Sequence, residues 1–322
     1  IINQNKLSIC VYSKSDNYKI EYIITDIFQV IYDLVECENC KTSFLNPFPT
    51  SVQLERAYSD DYYGEGDEKF NPTVEKVVDF FRQQNAKKMA SVFGNKGAIL
   101  DVGCGNGSFL VNLSNHGNFE LFGVELPGKS ADRAIATQKI KIHLGELKSG
   151  LYPEHKFDAI SFIHVFEHLA NPKEILEIVS EIIKPGGLLL IEFPNIDSLQ
   201  AGFFKQNWFH LDPPRHLNFF KPKPFVAELK KFRFNCIHES YQSTQFSPYG
   251  VQQSFLNSIG LKRDLLYEYL KSNKVYSKSS SKFSLFLQKL FHWFTFPIFI
   301  MSDILFSIFK KGGTVKFVFK KQ

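Results

Sequence analysis

The hydrophobic pattern changes period several times along the chain, and each change marks an element. Apolar and polar residues mix at short period through Lys19–Ile24 and Val30–Glu36, which predicts short strands around turns. Cys37-Glu-Asn-Cys40 follows. Asn46-Pro47-Phe48-Pro49-Thr50 reads as a loop and Gln53–Tyr58 as a short helix. From Pro72 the spacing becomes helical, with Val74, Val77, Val78, Phe81, Met89, Val92 and Phe93 on one face until Gly94–Gly97 stops it. Alternation then sets in: strand Ala98–Val102, a glycine-rich turn, helix Ser108–Ser114, strand Leu121–Glu125, helix Ser130–Thr137, and strands Lys141–Leu144 and Phe157–Ile163. Asn171-Pro172 opens a helix whose Ile175, Ile178, Val179, Ile182 and Ile183 face a core; Lys184-Pro-Gly-Gly187 ends it before strand Leu188–Phe193. This βα order predicts a parallel sheet with helices on both faces. After Pro194 come a long aromatic loop to Lys221, helix Phe225–Phe232, strand Cys236–Tyr241 and a mostly helical, apolar stretch over 243–312 with a polar break at Ser277–Ser281. Thr314–Lys320 is a last strand, and there are no internal repeats.

Composition narrows the class. A chain of 322 residues allows two domains of about 150 residues or one enlarged one, and buries a core without staples. With 44% apolar and 22% charged residues, disordered, collagen-like and polytopic membrane classes are excluded. The 34 phenylalanines must sit in cores, in pockets or on a greasy surface. A net charge of +5 permits an acidic partner or an anionic membrane surface without requiring either. Basic residues are scattered and no reading module is present, so nucleic acid is not expected as a partner. Five cysteines (Cys10, Cys37, Cys40, Cys104 and Cys236) exclude a complete disulfide set and read as intracellular thiols, which implies a cytoplasmic protein. Ile1–Leu7 has no apolar core of signal-peptide length. The chain begins with Ile rather than Met, which leaves its true start open.

The candidate chemistry begins at Ile99-Leu-Asp101-Val-Gly103-Cys-Gly105-Asn-Gly107, between a strand and a helix. Glycines let the backbone turn sharply and approach a ligand closely. A dinucleotide fingerprint G-x-G-x-x-G would put its third glycine where Ser108 stands, so that reading fails. The run fits G-x-G-x-G with a carboxylate two positions ahead, which suits a ligand carrying an amino group. In this it resembles the class I S-adenosylmethionine-dependent methyltransferases. Asp101, Gly103, Gly105 and Gly107 match that family's first motif. Glu125, 24 positions after Asp101, stands where the family binds both ribose hydroxyls. Gly145-Glu146 matches the position near the adenine amine, the segment from Phe157 to Leu169 the fourth motif, and Lys184–Gly187 the turn into strand five. The resemblance covers about residues 75–242 plus the final strand. It implies S-adenosylmethionine as cofactor, held by Asp101, Gly103, Cys104, Gly105, Gly107, Glu125, Leu126 and Glu146, with Cys104 a small space-filler. It also implies a Rossmann-like α/β sheet of seven strands whose last two form an antiparallel pair, the seventh inserted beside the fifth.

Within that family the likeness is to bacterial methyltransferases with a small cysteine-bearing N-terminal segment, through Cys37/Cys40, Asn46-Pro47-Phe48-Pro49 and Tyr58/Tyr62/Tyr63. The first cysteine pair departs from the pattern: Cys10 is present, but Ser13 stands where a second Cys is expected. A structural zinc wants four Cys or His ligands, so Cys10, Cys37 and Cys40 hold a zinc only if three suffice; the alternative is a metal-free relic held by packing. The implied organisation is a degenerate zinc-ribbon-like segment (1–50), a linker and cap helix (51–93), the methyltransferase core (94–242), an aromatic-rich helical insertion (243–312) and the last strand (313–322).

Methyl transfer needs alignment and, for most acceptors, a proton acceptor. His164 and His216 are the candidates, each against a loop-organising alternative. His164-Val-Phe-Glu167-His168 also spells an inverted zinc-protease signature, but that needs a continuous helix and here follows a strand. Some ubiquinone-pathway O-methyltransferases carry a similar acidic–His cluster, which leaves a metal idea beside a purely structural role. Arg215 reads as an anion clamp or a surface salt bridge. Trp208, Phe209 and Phe219 read as lid packing and Cys236 as core. The aromatic run Phe283–Phe309, broken by Lys289, His292, Pro297 and Asp303 and flanked by lysines, reads as a membrane-surface helix, a partner interface or a lid on the core. The expected function is S-adenosylmethionine-dependent methylation of a small or lipid-linked acceptor, with the hydroxyl of a surface-glycan sugar first. The alternatives are a C- or N-methyltransferase on a sugar nucleotide or other metabolite, and a non-catalytic cofactor-binding scaffold.

Overall fold

The computed structural model describes residues 9–58, 72–152, 156–243, 247–270, 276 and 281–322, with the side chains of residues 72–80 left out. The expectations for Val74, Val77, Val78, Tyr62, Tyr63 and Ser277–Ser280 therefore lie outside what is described. The chain forms two compact units. One comprises Ile1–Glu75, Pro194–Pro224 and Ser240–Val315; the other comprises Lys76–Phe193, Phe225–Glu239 and Lys316–Gln322.

In the first unit, β1 (Tyr18–Thr25) and β2 (Ile31–Cys37) pair antiparallel around a turn that Asp26 closes: its Oδ1 accepts from the N–H groups of Phe28 and Val30, both at 2.8 Å. β3 (Ser43–Asn46) adds to β2, and α1 (Ser51–Ala57) follows with a capping box between Thr50 and Gln53.

The second unit carries the βα run. α2 (Pro72–Val92) leads to β4 (Lys96–Val102), α3 (Ser108–Ser114), β5 (Asn118–Glu125), α4 (Lys129–Ala136), β6 (Lys141–Leu144), β7 (Phe157–Ile163), α5 (Pro172–Ile182) and β8 (Ile183–Pro194). β4–β5, β4–β7, β5–β6 and β7–β8 all pair parallel. Met89, Ile99, Leu110, Leu121, Leu190 and Val318 form one buried cluster. The parallel strands read as apolar runs because both faces are covered. α5 begins with Pro172 in its first turn and buries Leu176, Ile178, Val179 and Ile182. The Lys184–Gly187 turn does not separate helix from strand as expected. β8 starts at Ile183, opposite Phe157, and the next pair is Leu188 with Ala159, so the turn is a bulge inside the strand.

The segment from Pro194 to Lys221, expected as loop, holds α6 (Leu199–Phe204), two short 3₁₀ turns and β9 (Asn218–Phe219), which pairs with β3. Ser198 caps α6 by accepting from the Ala201 N–H at 3.1 Å. Periodicity missed these pieces because they are too short to show a period. Trp208 and Phe219 are buried with Ile24, Leu34, Leu45 and Val251 in the core of the first unit; Phe209 is partly exposed and packs edge-on against Tyr249 and Tyr267. α7 (Pro222–Lys231) and β10 (Phe234–Ser240) return to the large sheet. α8 (Ser247–Ser258), α9 (Leu265–Leu270) and the 27-residue α10 (Lys282–Ile308) precede β11 (Thr314–Lys321). The seven-stranded order is β10-β11-β8-β7-β4-β5-β6, with β11 beside β8 as the resemblance implied. Cys236 departs from its expected core position. It lies half-buried on β10, the edge strand, where only part of the sheet surface is covered.

Leu190 is fully buried at the centre of this cluster. Leu190→Ala is expected to cost about 2–5 kcal/mol, read as a lower midpoint in chemical denaturation with an unchanged slope.

Candidate active site

The C-terminal ends of parallel strands are where a sheet of this kind leaves a crevice, because the following turns diverge to opposite faces. Here β4 delivers Asp101, β5 delivers Glu125, β7 delivers Ser161 and β8 delivers Glu192, each a polar group in an apolar run. After β4 the chain turns at Gly103, whose φ is +69° and where a Cβ would meet Val165 at 2.5 Å. Gly105 has φ +58° and open space where a side chain would be. Gly107, at φ +75°, is the N-cap of α3. The sequence motif groups Gly103, Gly105 and Gly107 together; in the fold Gly103 is needed for close packing and Gly105 for openness.

Glu125 holds this turn. Its Oε2 accepts from the Gly105 N–H at 2.6 Å and its Oε1 from the Leu126 N–H at 3.0 Å. Burial raises its pKa, and these two donors partly offset the rise. Asp101 is 3% exposed and accepts from the Ser161 hydroxyl at 2.6 Å. Burial lifts its pKa to about 7, opposed by the Ser161 hydrogen bond and reinforced by the charge of Glu125. The Cys104 thiol is buried, and a Cβ on Gly123 would stand 2.7 Å from its Sγ, so it fills space against β5. Burial pushes its pKa up, which removes it as a nucleophile. Leu126 is half-exposed. Glu146 is exposed and pairs with Lys148 at 3.7 Å, while Gly145 donates its N–H to the Glu125 carbonyl at 2.8 Å.

His164 follows β7 with φ +53° and donates its backbone N–H to the Glu192 carbonyl at 2.8 Å. Its Nδ1 lies 3.4 Å from Glu167 Oε1 and its Nε2 3.6 Å from Glu192 Oε1. Lys316 on β11 reaches Glu192 Oε2 at 2.9 Å. Burial alone would depress the histidine, but Glu167 and Glu192 outweigh it and raise its pKa to about 9. Glu192 is likewise opposed by burial, yet Lys316 and His164 hold it at about 2. The two flanking carboxyls favour the protonated ring of His164, a form that donates rather than accepts, which weighs against its expected role as proton acceptor. Ser161, Glu192 and Lys316 were not singled out from sequence; a Ser inside Ala-Ile-Ser-Phe-Ile and a Glu inside Leu-Leu-Ile-Glu-Phe were the available signals.

His216 and Arg215 belong to the first unit. His216 Nδ1 lies 2.8 Å from the His210 carbonyl, which can accept only, so Nδ1 carries a proton; Nε2 lies 3.9 Å from Asp212 Oδ2. Arg215 is neither an exposed pair nor an anion clamp. Buried, it donates through Nε and a terminal nitrogen to both carboxylate oxygens of Asp212, and through its other terminal nitrogen to the Ala57 carbonyl at 3.3 Å. Also in this unit, Cys10, Cys37 and Cys40 bring three sulfurs within 4.8 Å of one another. Cys10 Sγ is 3.3 Å from Cys40 Sγ, and Ser13 Oγ is 3.2 Å from Cys37 Sγ. Ser13 thus brings a hydroxyl beside the cluster, whereas a structural zinc site needs a fourth thiolate or imidazole. Three donors fit zinc and the hydroxyl does not.

Residues 74–239 match the methyltransferase domain family. The chain is 25% identical over 184 residues to the mitochondrial ubiquinone biosynthesis O-methyltransferase of Dictyostelium discoideum, covering 51% of this chain and 57% of that protein. It is 32% identical over 101 residues to the ubiquinone biosynthesis O-methyltransferase of Rickettsia bellii, covering 30% and 42%. The chain thus spans about half the length of these relatives. Among solved structures, a protein of Galdieria sulphuraria assigned as a sarcosine dimethylglycine methyltransferase shares the fold at TM-score 0.51 and 12% identity, covering 83% of this chain and 98% of that one.

Glu192→Gln leaves Lys316 and His164 facing a neutral amide, and is expected to cost about 3 kcal/mol. In the wild type the His164 contribution to stability is complete below pH 6.5 and is lost as pH rises through about 9. In Glu192→Gln that loss is expected at lower pH, read from stability against pH and from an NMR titration of the imidazole.

Proposed function

The chain belongs to the methyltransferase domain family, and from that premise we propose that it transfers a methyl group from S-adenosylmethionine to a hydroxyl of a small or lipid-linked acceptor. The observation that carries this reading is the glycine turn, open at Gly105, between carboxylates on adjacent parallel strands. The residues fit such a cofactor. Glu125 spends one lone pair of each oxygen on a backbone N–H, and the remaining pairs suit two neighbouring hydroxyls, those of a ribose. Asp101 is a buried carboxyl beside a neutral hydroxyl, and a cationic amino group would complete it. When bound, the sulfonium supplies an activated methyl group for direct displacement. The protein's part is to fix the donor, keep water away and remove the acceptor's proton. His164, held between Glu167 and Glu192, positions the turn after β7. His216 is assigned the proton by family resemblance and ring chemistry.

The relatives named as O-methyltransferases support an oxygen acceptor. Their names give no support to a sugar. An assay with labelled donor, offering a polyprenyl-linked phenol and a lipid-linked glycan, is expected to place the label in a methyl ether. Label on nitrogen or carbon overturns the proposal. His216→Gln is expected to lower kcat by about 100-fold with cofactor affinity unchanged.

Calorimetric titration tests the cofactor site directly. Asp101→Ala and Glu125→Ala are each expected to raise Kd at least about tenfold. An amine beside Asp101 favours its ionised form, so binding near pH 6.5 should release a proton. Affinity should rise with pH up to about 7 and then level off. Binding heats that do not vary with buffer ionisation enthalpy would remove Asp101 from that role.

A further inference from the structure

α10 carries its most apolar side outward. The side turned into its own unit is mixed: Leu285, Gln288 and Asp303 are buried, Phe299 packs on the core, Asp303 Oδ2 accepts from the Ser243 N–H at 3.3 Å, and Gln252 of α8 donates to Thr295 Oγ1 at 2.7 Å. His292 Nδ1 meets the Gln252 side-chain oxygen at 2.7 Å. The outer side recurs every three or four residues, and Phe283, Phe286, Trp293, Phe294, Met301 and Ile308 on it are each at least half exposed. Just beyond α8, Ile259 is also exposed, and Phe255 of α8 stacks on Phe291 at 5.4 Å, which extends the apolar strip sideways. Isolated exposed apolar residues mean little, but a continuous strip along a 27-residue helix marks a surface that is covered in use.

We propose that this face of α10 lies in the plane of an anionic lipid surface, as a peripheral anchor. Charge favours that occupant. From Lys282 to Lys311 there are four lysines and a single acid, Asp303, which is buried. With Lys311 paired to Asp197, the helix still presents Lys282 and Lys310 near its two ends and no exposed acid of its own, the arrangement that anionic headgroups attract. The strip offers almost no hydrogen-bonding group, whereas protein interfaces carry about one hydrogen bond per 100–200 Å². Aromatic rings dominate it, and a Trp suits the headgroup boundary. The helix is long and apolar enough to cross a bilayer, with mean hydropathy 1.5. Its fastening to one unit opposes that: spanning would draw Gln252 and the buried polar groups into hydrocarbon, and Lys311 is paired with Asp197 at 2.8 Å just beyond the helix. The proposal is independent of the cofactor site, and its test involves no turnover.

The full chain is mixed with vesicles of phosphatidylcholine alone or blended with phosphatidylglycerol, and binding is read by flotation and by tryptophan emission. The two tryptophans separate the readout, since Trp208 is buried and Trp293 is 69% exposed. The blended vesicles should bind the chain, shift the emission to the blue and release it at high salt. Phe294→Glu, at a position 76% exposed where folding should be untouched, should weaken binding at least tenfold. Lys282→Gln should weaken it about fivefold. Equal binding to both vesicle types, or unchanged binding by Phe294→Glu, overturns the proposal. So does a stable dimer in sedimentation that Phe294→Glu dissolves, because a second copy would then be the cover.

Discussion

A carboxylate taken out of water must find a donor or keep its proton, and that constraint organises the end of the sheet where β4, β5, β7 and β8 stop. Each strand solves it differently. Glu125 takes two backbone N–H groups and so fixes the glycine turn. Glu192 takes Lys316 and His164, which ties β8 to β11 and to the turn after β7. Asp101 has a neutral Ser161 hydroxyl, and burial holds its pKa well above the usual carboxylate range. Asp101 and Glu125, on adjacent strands at the glycine turn, are thus the two carboxyls held by neutral donors.

The same network decides what His164 can do. A histidine following a strand in this motif looks like a base. Between the buried carboxyls of Glu167 and Glu192 its protonated form is favoured, and it shares Glu192 with Lys316. Its left-handed backbone conformation then makes sense as strain held by the hydrogen bond to the Glu192 carbonyl and the flanking ion pairs.

The first unit shows how far chain order can mislead. The cysteine-bearing N-terminus, the aromatic segment after β8 and the insertion before β11 look like three attachments, yet they share one core in which Ile24, Trp208 and Val251 touch the same cluster. β9 joins the N-terminal sheet after a separation of more than 170 residues. α10 completes the unit with Gln288 and Asp303 buried beside Leu285, while large apolar side chains line its outer side.

The large sheet was legible in the sequence because its signals are local. Apolar runs of strand length, helical spacing between them, and glycines with an acid at fixed offset report backbone needs that no distant residue changes. Helix Ser108–Ser114 and strands Lys141–Leu144 and Phe157–Ile163 fall at the bounds read from sequence. What only the tertiary structure decided is which charges meet. The pairing of His164 with Glu192, the burial of Arg215 against Ala57, the half-burial of Cys236 and the approach of Ser13 to Cys37 depend on neighbours far along the chain. Periodicity shows that a side of a helix differs from its opposite, but not which of the two faces inward. On α10 the buried polar partners Gln252 and Ser243 settle that, and they lie on other segments.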